Sequence, residues 1–172
     1  MWSRIVAIVL VWMSLLQAKE ATMRIYSPAF EMGGMIPVRY TCDGEDISLP
    51  IVIENLPAGT KSVAIIMEDP DAPVGLFTHW LIYDIPPSIT ELPEGIPPAP
   101  SLSEGIKQGR NDFGNYGYGG PCPPGGAHRY FIKAYALDAY LDAPAGLDRE
   151  QLLRLIAPHV IAEAEYMGVY AR

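Results

Sequence analysis

Hydrophobic and polar positions alternate, or run continuously apolar, in several short stretches of this sequence. Alternation occupies Ile36–Tyr40 and Ile51–Ile53, and a period of two is typical of a strand with one buried face. Ser62–Met67 is almost continuously apolar, which predicts a central strand buried on both faces. His79–Ile85 and His128–Leu137 are two further predicted strands. The pattern therefore predicts a mainly β protein.

One helix is predicted, near the end of the chain. Asp148 and Gln151 have the spacing of a capping box. The apolar stripe that follows consists of Leu152, Leu153, Leu155 and Ile156. Pro158 predicts a kink or a second helical turn, which carries Val160, Ile161 and Ala164. Strands without intervening helices favour an antiparallel sandwich over a parallel α/β sheet, with a short C-terminal helical segment.

The N-terminal segment has the pattern of a signal peptide. Arg4 precedes the apolar run Ile5–Leu16, and Ala18 follows it, which predicts a cleavable leader over residues 1–18. Such a run rises about 18 Å as a helix, less than the roughly 30 Å hydrocarbon core of a bilayer. The predicted location is therefore outside the cytoplasm, in a periplasm or the extracellular space. An uncleaved membrane anchor and a cytoplasmic protein that starts at Met23 are the alternatives.

Length and charge limit the function classes. The chain has 172 residues, which predicts one domain over residues 23–172. The net charge is −8, and loss of Arg4 with the leader makes it −9. Nucleic-acid binding is excluded as the expected function, because no positive surplus faces the phosphates. Of 16 glycines and 17 prolines, nine each lie between Pro86 and Gly126, and loops of that length are usually functional or disordered.

Candidate chemistry is concentrated where loops meet strands. Asp69 and Asp71 form a stiff acidic turn after the buried strand, which either binds a ligand or caps its own backbone amides. His79 and His128 each begin a predicted strand, at the kind of junction where binding sites collect. Gly119–Gly126 permits close backbone approach to an anion, or forms a polyproline-like turn. Residue patterns alone predict a pocket and leave its ligand open.

The two cysteines, Cys42 and Cys122, agree with either compartment. In an oxidising compartment they could form one disulfide that closes a long loop, and in the cytosol they would be free thiols. Their spacing matches neither a zinc ribbon nor a CxxC redox motif.

Several ordered motifs resemble those of the phosphatidylethanolamine-binding protein family, in particular its bacterial and archaeal branch of Raf-kinase-inhibitor-like proteins. The resemblance extends from about Met23 to Arg172. Its motifs are Tyr40–Gly44, Asp69–Pro73, His79–Leu81, Gln108–Gly114, Gly120–Tyr130 and Gly168–Arg172.

The resemblance implies two antiparallel β-sheets and a small pocket that accepts phosphate-type groups, including phospholipid headgroups. The implied ligand-binding residues are Asp69, Asp71, Pro73, His79, Gly120, Pro121, Pro123, His128 and Tyr130. It also places Cys42 and Cys122 close together, bonded if the protein is exported. Family members that form homodimers or inhibit proteases or kinases give an expectation of self-association and of a protein partner.

The leading hypothesis is a non-enzymatic binding module for a small phosphorylated or headgroup-like ligand, with no cofactor. One alternative is a hydrolase that uses Cys122 or a water with His128 and either Asp69 or Asp71. Another is a metal site formed by two histidines and two cysteines, His79, His128, Cys42 and Cys122.

Overall fold

The structure, a computed structural model, describes residues 21–172. The predicted leader, residues 1–18, lies outside the described residues. The strands are β1 (Arg24–Tyr26), β2 (Ile51–Glu54), β3 (Ser62–Asp69), β4 (Phe77–Ile85), β5 (Glu91–Leu92), β6 (Lys107–Gln108), β7 (Ala127–Leu137) and β8 (Val160–Ala171). The helix α1 spans Arg149–Ile156, and single 3-10 turns occupy Val38–Tyr40, Ser103–Gly105 and Ala157–His159. No helix within residues 21–172 is both long and apolar enough to span a membrane.

The strands form two antiparallel sheets, which confirms the predicted fold class. The small sheet has the order β1-β2-β5, and the large sheet has the order β6-β4-β3-β7-β8. All eight residues of β3 are buried, as the continuous apolar run predicts. Both neighbours, β4 and β7, run antiparallel to it.

Two apolar layers cover the large sheet. The layer between the sheets includes Trp80 and Ile65 from the large sheet and Ile53 from the small one. The other layer lies beneath α1, where Leu152 and Ile156 belong to the same cluster as the outward-facing side chains of β3 and β4. Burial on both faces explains why β3 shows no alternation of apolar and polar residues.

The predicted helix start is confirmed. Asp148 accepts a hydrogen bond from the Gln151 amide at 2.8 Å, and the Asp148 amide donates to Gln151 Oε1 at 2.9 Å. The prediction of helix beyond Pro158 is wrong, because Val160–Ala171 forms the strand β8 and pairs with β7 from Val160 to Ala171. Pairing along a whole neighbouring strand outweighs the weak helical preference of this alanine- and glutamate-containing stretch.

The predicted strand at Ile36–Tyr40 is also wrong. Ile36 and Tyr40 are buried, but Val38, which the alternation places on the same face, is 53% exposed, and Val38–Tyr40 forms a 3-10 turn. Pro37 has no N–H to donate to a sheet ladder, and within Ile36–Tyr40 it is Ile36 that bonds to the large sheet, its amide donating to the Val169 carbonyl at 2.8 Å.

Candidate functional site

Strand order brings three chemically active side chains to one edge of the large sheet. β3 ends at Asp69, whereas β4 and β7 begin at Phe77 and Ala127. Because both neighbours are antiparallel to β3, the end of β3 lies beside the starts of both. Asp69, His79 and His128 therefore meet, although 59 positions separate the first from the last.

These side chains line a cavity of about 270 Å³, called here the candidate cavity. Its wall is formed by Asp69, Ala72, Pro73, Val74, Phe77, His79, Phe113, Cys122, Pro123, Pro124, His128 and Tyr130. Six of the expected ligand-binding residues are in this set, and the remaining three, Asp71, Gly120 and Pro121, are not. The wall is mostly apolar, with a few polar groups from the sheet edge.

His79 is held by the loop that follows β6. The Gly119 amide donates to the His79 carbonyl at 2.9 Å, and His79 Nδ1 lies 2.7 Å from the Gly119 carbonyl oxygen. Burial lowers the pKa of His79, outweighing the Gly119 and Gly120 carbonyl oxygens and the charge of Asp69, which raise it. His79 is therefore a neutral imidazole near pH 7.

His128 and Asp69 form a buried pair. His128 Nδ1 lies 2.7 Å from Asp69 Oδ2, and the side chains are 9% and 4% exposed. The other carboxylate oxygen, Asp69 Oδ1, accepts the Asp71 amide at 2.7 Å. These two bonds fix the Asp69 carboxylate and orient the imidazole, as a carboxylate commonly does beside a functional histidine.

Tyr130 presents a buried hydroxyl without a partner. Among the side chains of residues 21–172, Tyr130 Oη is the one polar atom that is buried and makes no hydrogen bond. Burial, followed by the charges of Asp69 and Asp71, raises the pKa of Tyr130, so the hydroxyl keeps its proton and can donate it. A buried polar group without a partner is uncommon and calls for an explanation.

Asp71 points to a different partner. Its two carboxylate oxygens accept Arg129 Nη2 at 2.8 Å and Arg129 Nε at 2.9 Å, and the Arg129 amide adds a bond at 2.9 Å. The Arg129 side chain is mainly responsible for lowering the pKa of Asp71 to about 2. In the structure Asp71 thus forms an ion pair with Arg129 and does not line the candidate cavity, and its role as a ligand-binding residue stays a prediction.

Gly120 and Pro121 anchor the rim instead of lining the cavity. The Gly120 amide donates to Asp46 Oδ1 at 2.7 Å, and a Cβ at Gly120 would lie 2.4 Å from both that oxygen and the Tyr40 carbonyl oxygen. The Pro121 carbonyl accepts the Cys42 amide at 3.1 Å. At position 120, only a glycine permits the close approach to Asp46 and to the Tyr40 carbonyl.

Cys42 and Cys122 form a disulfide in the structure, with Cα atoms 5.4 Å apart. The bond ties the cavity-lining segment Cys122–Pro124 to the loop that contains Cys42. It also consumes the Cys122 thiol, one of the two nucleophiles that the hydrolase hypothesis offered, and both thiolate ligands of the metal hypothesis. Within the described residues, no group of three or more histidine, cysteine or acidic side chains is placed to hold a metal.

The sequence patterns did not single out two aromatic walls of the candidate cavity. Phe77 shares a strand face with His79, their ring centroids being 5.1 Å apart, and Phe113 packs edge-on against His79 at 5.5 Å. Period two along β4 was a usable signal for Phe77. Phe113 lies in the loop that alternates aromatic residues with glycines, and its position depends on bonds between Asp112 and Thr78.

Comparisons with known proteins agree with this fold and extend along most of the chain. A sequence model of the family described as phosphatidylethanolamine-binding protein matches residues 26–171. The UPF0098 protein of Methanothermobacter thermautotrophicus is 49% identical over 150 residues, which cover 87% of this chain and 99% of that protein.

Two solved structures are similar throughout. CT736 of Chlamydia trachomatis, a homologue of phosphatidylethanolamine-binding protein, has a TM-score of 0.82 and 40% identity, covering 88% of this chain and 98% of that one. E. coli YbcL, described as a new member of the mammalian PEBP family, has a TM-score of 0.81 and 31% identity, covering 88% and 99%. The chain belongs to the phosphatidylethanolamine-binding protein family.

Proposed function

We propose that the protein binds a small phosphate-type anion in the candidate cavity. The observation that carries this proposal is the hydroxyl of Tyr130, a residue of the cavity wall: this hydroxyl is buried and has no hydrogen-bond partner among residues 21–172. Leaving a buried hydroxyl unpaired is unfavourable by about 1–3 kcal/mol, and an oxyanion in the cavity would accept its hydrogen bond. The histidine edges of His79 and His128 lie in the same wall.

The size and polarity of the cavity favour a small ligand with an apolar attachment. A volume of about 270 Å³ is slightly below the roughly 300–1,000 Å³ of ordinary small-molecule sites. Val74 and Phe113, at 84% and 46% exposure, form an apolar rim. The names of the family and of its solved members refer to phosphatidylethanolamine binding, which supports a headgroup-like ligand for this chain as well.

Titration calorimetry with inorganic phosphate and with phosphoethanolamine tests the proposal. His128→Ala should weaken binding of both probes about tenfold or more, because it removes a cavity wall and the partner of Asp69. His159→Ala is the matched control, since His159 pairs with Asp138 on the surface and does not line the cavity. Absence of saturable binding to wild-type protein at millimolar concentrations would refute the proposal.

Binding without turnover is part of the proposal, and one observation favours the alternative. A histidine oriented by a carboxylate, as His128 is by Asp69, is the arrangement of a general base. With Cys122 in a disulfide, the nucleophile would have to be water. Hydrolysis of p-nitrophenyl phosphate or acetate that disappears in His128→Ala would establish the hydrolase. We expect the wild-type protein to hydrolyse neither ester faster than buffer alone does.

Export from the cytoplasm is also proposed, since disulfides persist in oxidising compartments and the Cys42–Cys122 bond closes the rim of the site. Intact-mass measurement of the protein from its own cell tests this, because cleavage after Ala18 would remove a defined mass. Homodimer formation and regulation of a partner protein, such as a protease or kinase, stay predictions.

A further inference from the structure

The loop between β3 and β4 holds an apolar side chain at the apex of a tight turn. The Gly75 amide donates to the Ala72 carbonyl at 2.9 Å, and the ring of Pro73 fixes one backbone torsion inside this turn. Val74, the next residue, is 84% exposed, more than any other large hydrophobic side chain in the described part of the chain. Leu76 follows in the same loop and is 43% exposed. The turn therefore displays apolar groups to solvent.

Apolar surface continues from this loop into the candidate cavity. Val74 and Phe113, which form the apolar rim, are both part of the cavity wall, and the Phe113 ring packs against Phe77 with centroids 4.7 Å apart. Pro123 and Pro124 add apolar surface to the same wall. An exposed apolar patch bordered by polar residues marks a surface that contacts a protein or a membrane. The mouth of the candidate cavity is therefore a contact surface as well as an entrance.

The cations beside the mouth are already paired. Arg129 pairs with Asp71 at 2.8 Å, and Arg172, which touches Cys122, pairs with Asp43 at 2.7 Å. The cavity wall includes no lysine or arginine from the part of the chain that the structure describes. The chain as a whole has a net charge of −8, which repels an anionic surface. A contact surface of this kind suits a partner without net charge.

The candidate cavity is too small for a whole membrane lipid. Its volume of about 270 Å³ is slightly below the range for drug-sized ligands, and a phospholipid with two acyl chains is much larger than such a ligand. A lipid can therefore place only its headgroup in the cavity. Its acyl chains stay outside, where water would surround them unless they remain in a bilayer.

We infer that the protein docks on the surface of a zwitterionic lipid bilayer, with Leu76 and the apolar rim in the interface and a phosphate-bearing headgroup in the candidate cavity. The inference rests on the proposed function. Continuity between the cavity and the rim points to this partner, because a membrane phospholipid joins a phosphate group to an apolar region. Apolar side chains of peripheral proteins reach about 5–10 Å into the boundary between headgroups and acyl chains. The protein thus binds headgroups in place and does not carry lipid away.

Co-sedimentation with lipid vesicles tests the inference, with the protein purified from its own cell. Vesicles of phosphatidylcholine and phosphatidylethanolamine, which are zwitterionic, should bind the protein. Replacing the phosphatidylethanolamine with anionic phosphatidylglycerol should weaken binding by about fivefold or more, since the net charge of the protein opposes it. Soluble phosphoethanolamine should release the protein from the vesicles, because it competes for the cavity. Labelled phosphatidylethanolamine should not move between vesicles faster than it does without protein.

Leu76→Ser is the decisive variant, because Leu76 is outside the cavity lining and the change adds no charge. It should weaken vesicle binding by about fivefold or more, through the loss of apolar surface in the interface. Calorimetry should show an unchanged affinity for phosphoethanolamine, which also verifies that the variant is folded. Ile161→Ser is the matched control: Ile161 is 41% exposed and lies at the far end of β8 from Tyr170, the residue opposite His128. It should bind vesicles as the wild type does.

The outcomes separate the inference from the proposed function. The inference alone is overturned if wild-type protein binds phosphoethanolamine but no vesicles, or if vesicle binding survives Leu76→Ser or ignores soluble phosphoethanolamine. Equal or tighter binding to the phosphatidylglycerol vesicles would also overturn it, and so would accelerated lipid transfer. A wild-type dimer that Leu76→Ser dissociates, seen by sedimentation velocity, would overturn it by placing a second copy of the chain on the rim. If wild-type protein binds neither vesicles nor phosphoethanolamine, both the inference and the proposed function fail.

Discussion

Removal of a single hydroxyl, in Tyr130→Phe, should stabilise the ligand-free protein against unfolding and lower its affinity for phosphate. Tyr130 and Tyr83 are both fully buried in the large sheet. The Tyr83 hydroxyl donates to the Pro144 carbonyl at 2.6 Å, whereas Tyr130 Oη has no partner within residues 21–172. The two positions therefore form a matched pair for the same substitution.

The expected changes in unfolding free energy have opposite signs. Burying a hydroxyl without a partner is unfavourable by about 1–3 kcal/mol, so Tyr130→Phe should stabilise the free protein by about 1–2 kcal/mol. Tyr83→Phe removes a hydrogen bond and leaves the Pro144 carbonyl unpaired, and should destabilise it by a similar amount. In a chain of this size, 1 kcal/mol moves Tm by about 2–4 °C.

Urea unfolding without and with saturating phosphate measures both effects. Phosphate should stabilise the wild type and Tyr83→Phe alike, through mass action on the folded state. Tyr130→Phe should bind phosphate about tenfold more weakly, since it loses a hydrogen bond to a charged acceptor worth about 1.5–3 kcal/mol. If Tyr130→Phe destabilises the free protein as much as Tyr83→Phe does, the hydroxyl has a partner without ligand and the reasoning fails.

Three further predictions concern stability. Reducing the Cys42–Cys122 bond, which spans 80 positions, should lower the unfolding free energy by about 3–4.5 kcal/mol, and a urea midpoint that ignores reductant would contradict this. Asp71→Asn should destabilise the protein at neutral pH. Because Arg129 lowers the pKa of Asp71 from 3.8 to about 2, the difference in unfolding free energy from wild type should vanish as the pH falls from 4 to 2. A difference that is constant across this range would count against the ion pair. Glu68→Gln should destabilise by about 2–4 kcal/mol, because the carboxylate is 4% exposed and pairs with two cations; chemical denaturation showing less than 0.5 kcal/mol would exclude this role.

Much of the fold could be predicted because burial leaves a direct record in the residue pattern. β3 is buried on both faces and reads as an uninterrupted apolar run, whereas β7 alternates along its length. The start of the helix is equally predictable, because Asp148 and Gln151, three residues apart, make two reciprocal hydrogen bonds. Such local signals need no knowledge of distant strands.

The C-terminal strand differs from the predicted helix because a distant partner strand determines its structure. In β8 the exposed and less exposed residues alternate from Val160 onward, so the segment carries a period-two signal as well as the apolar spacing that predicts a continuation of α1. Small residues such as Ala162 and Ala164 fit either structure, and pairing with β7 decides between them. The sequence does not reveal that pairing.

The candidate site shows the same limit most clearly in its two acidic residues. Asp69 and Asp71 belong to one motif and look interchangeable in the sequence, yet β3 ends at Asp69 and the turn carries Asp71 outward. Successive residues of β7 point to opposite faces, so buried His128 takes Asp69 while exposed Arg129 takes Asp71. The candidate cavity thus contains one carboxylate, already bonded to an imidazole, instead of an acidic pair suited to an ammonium group.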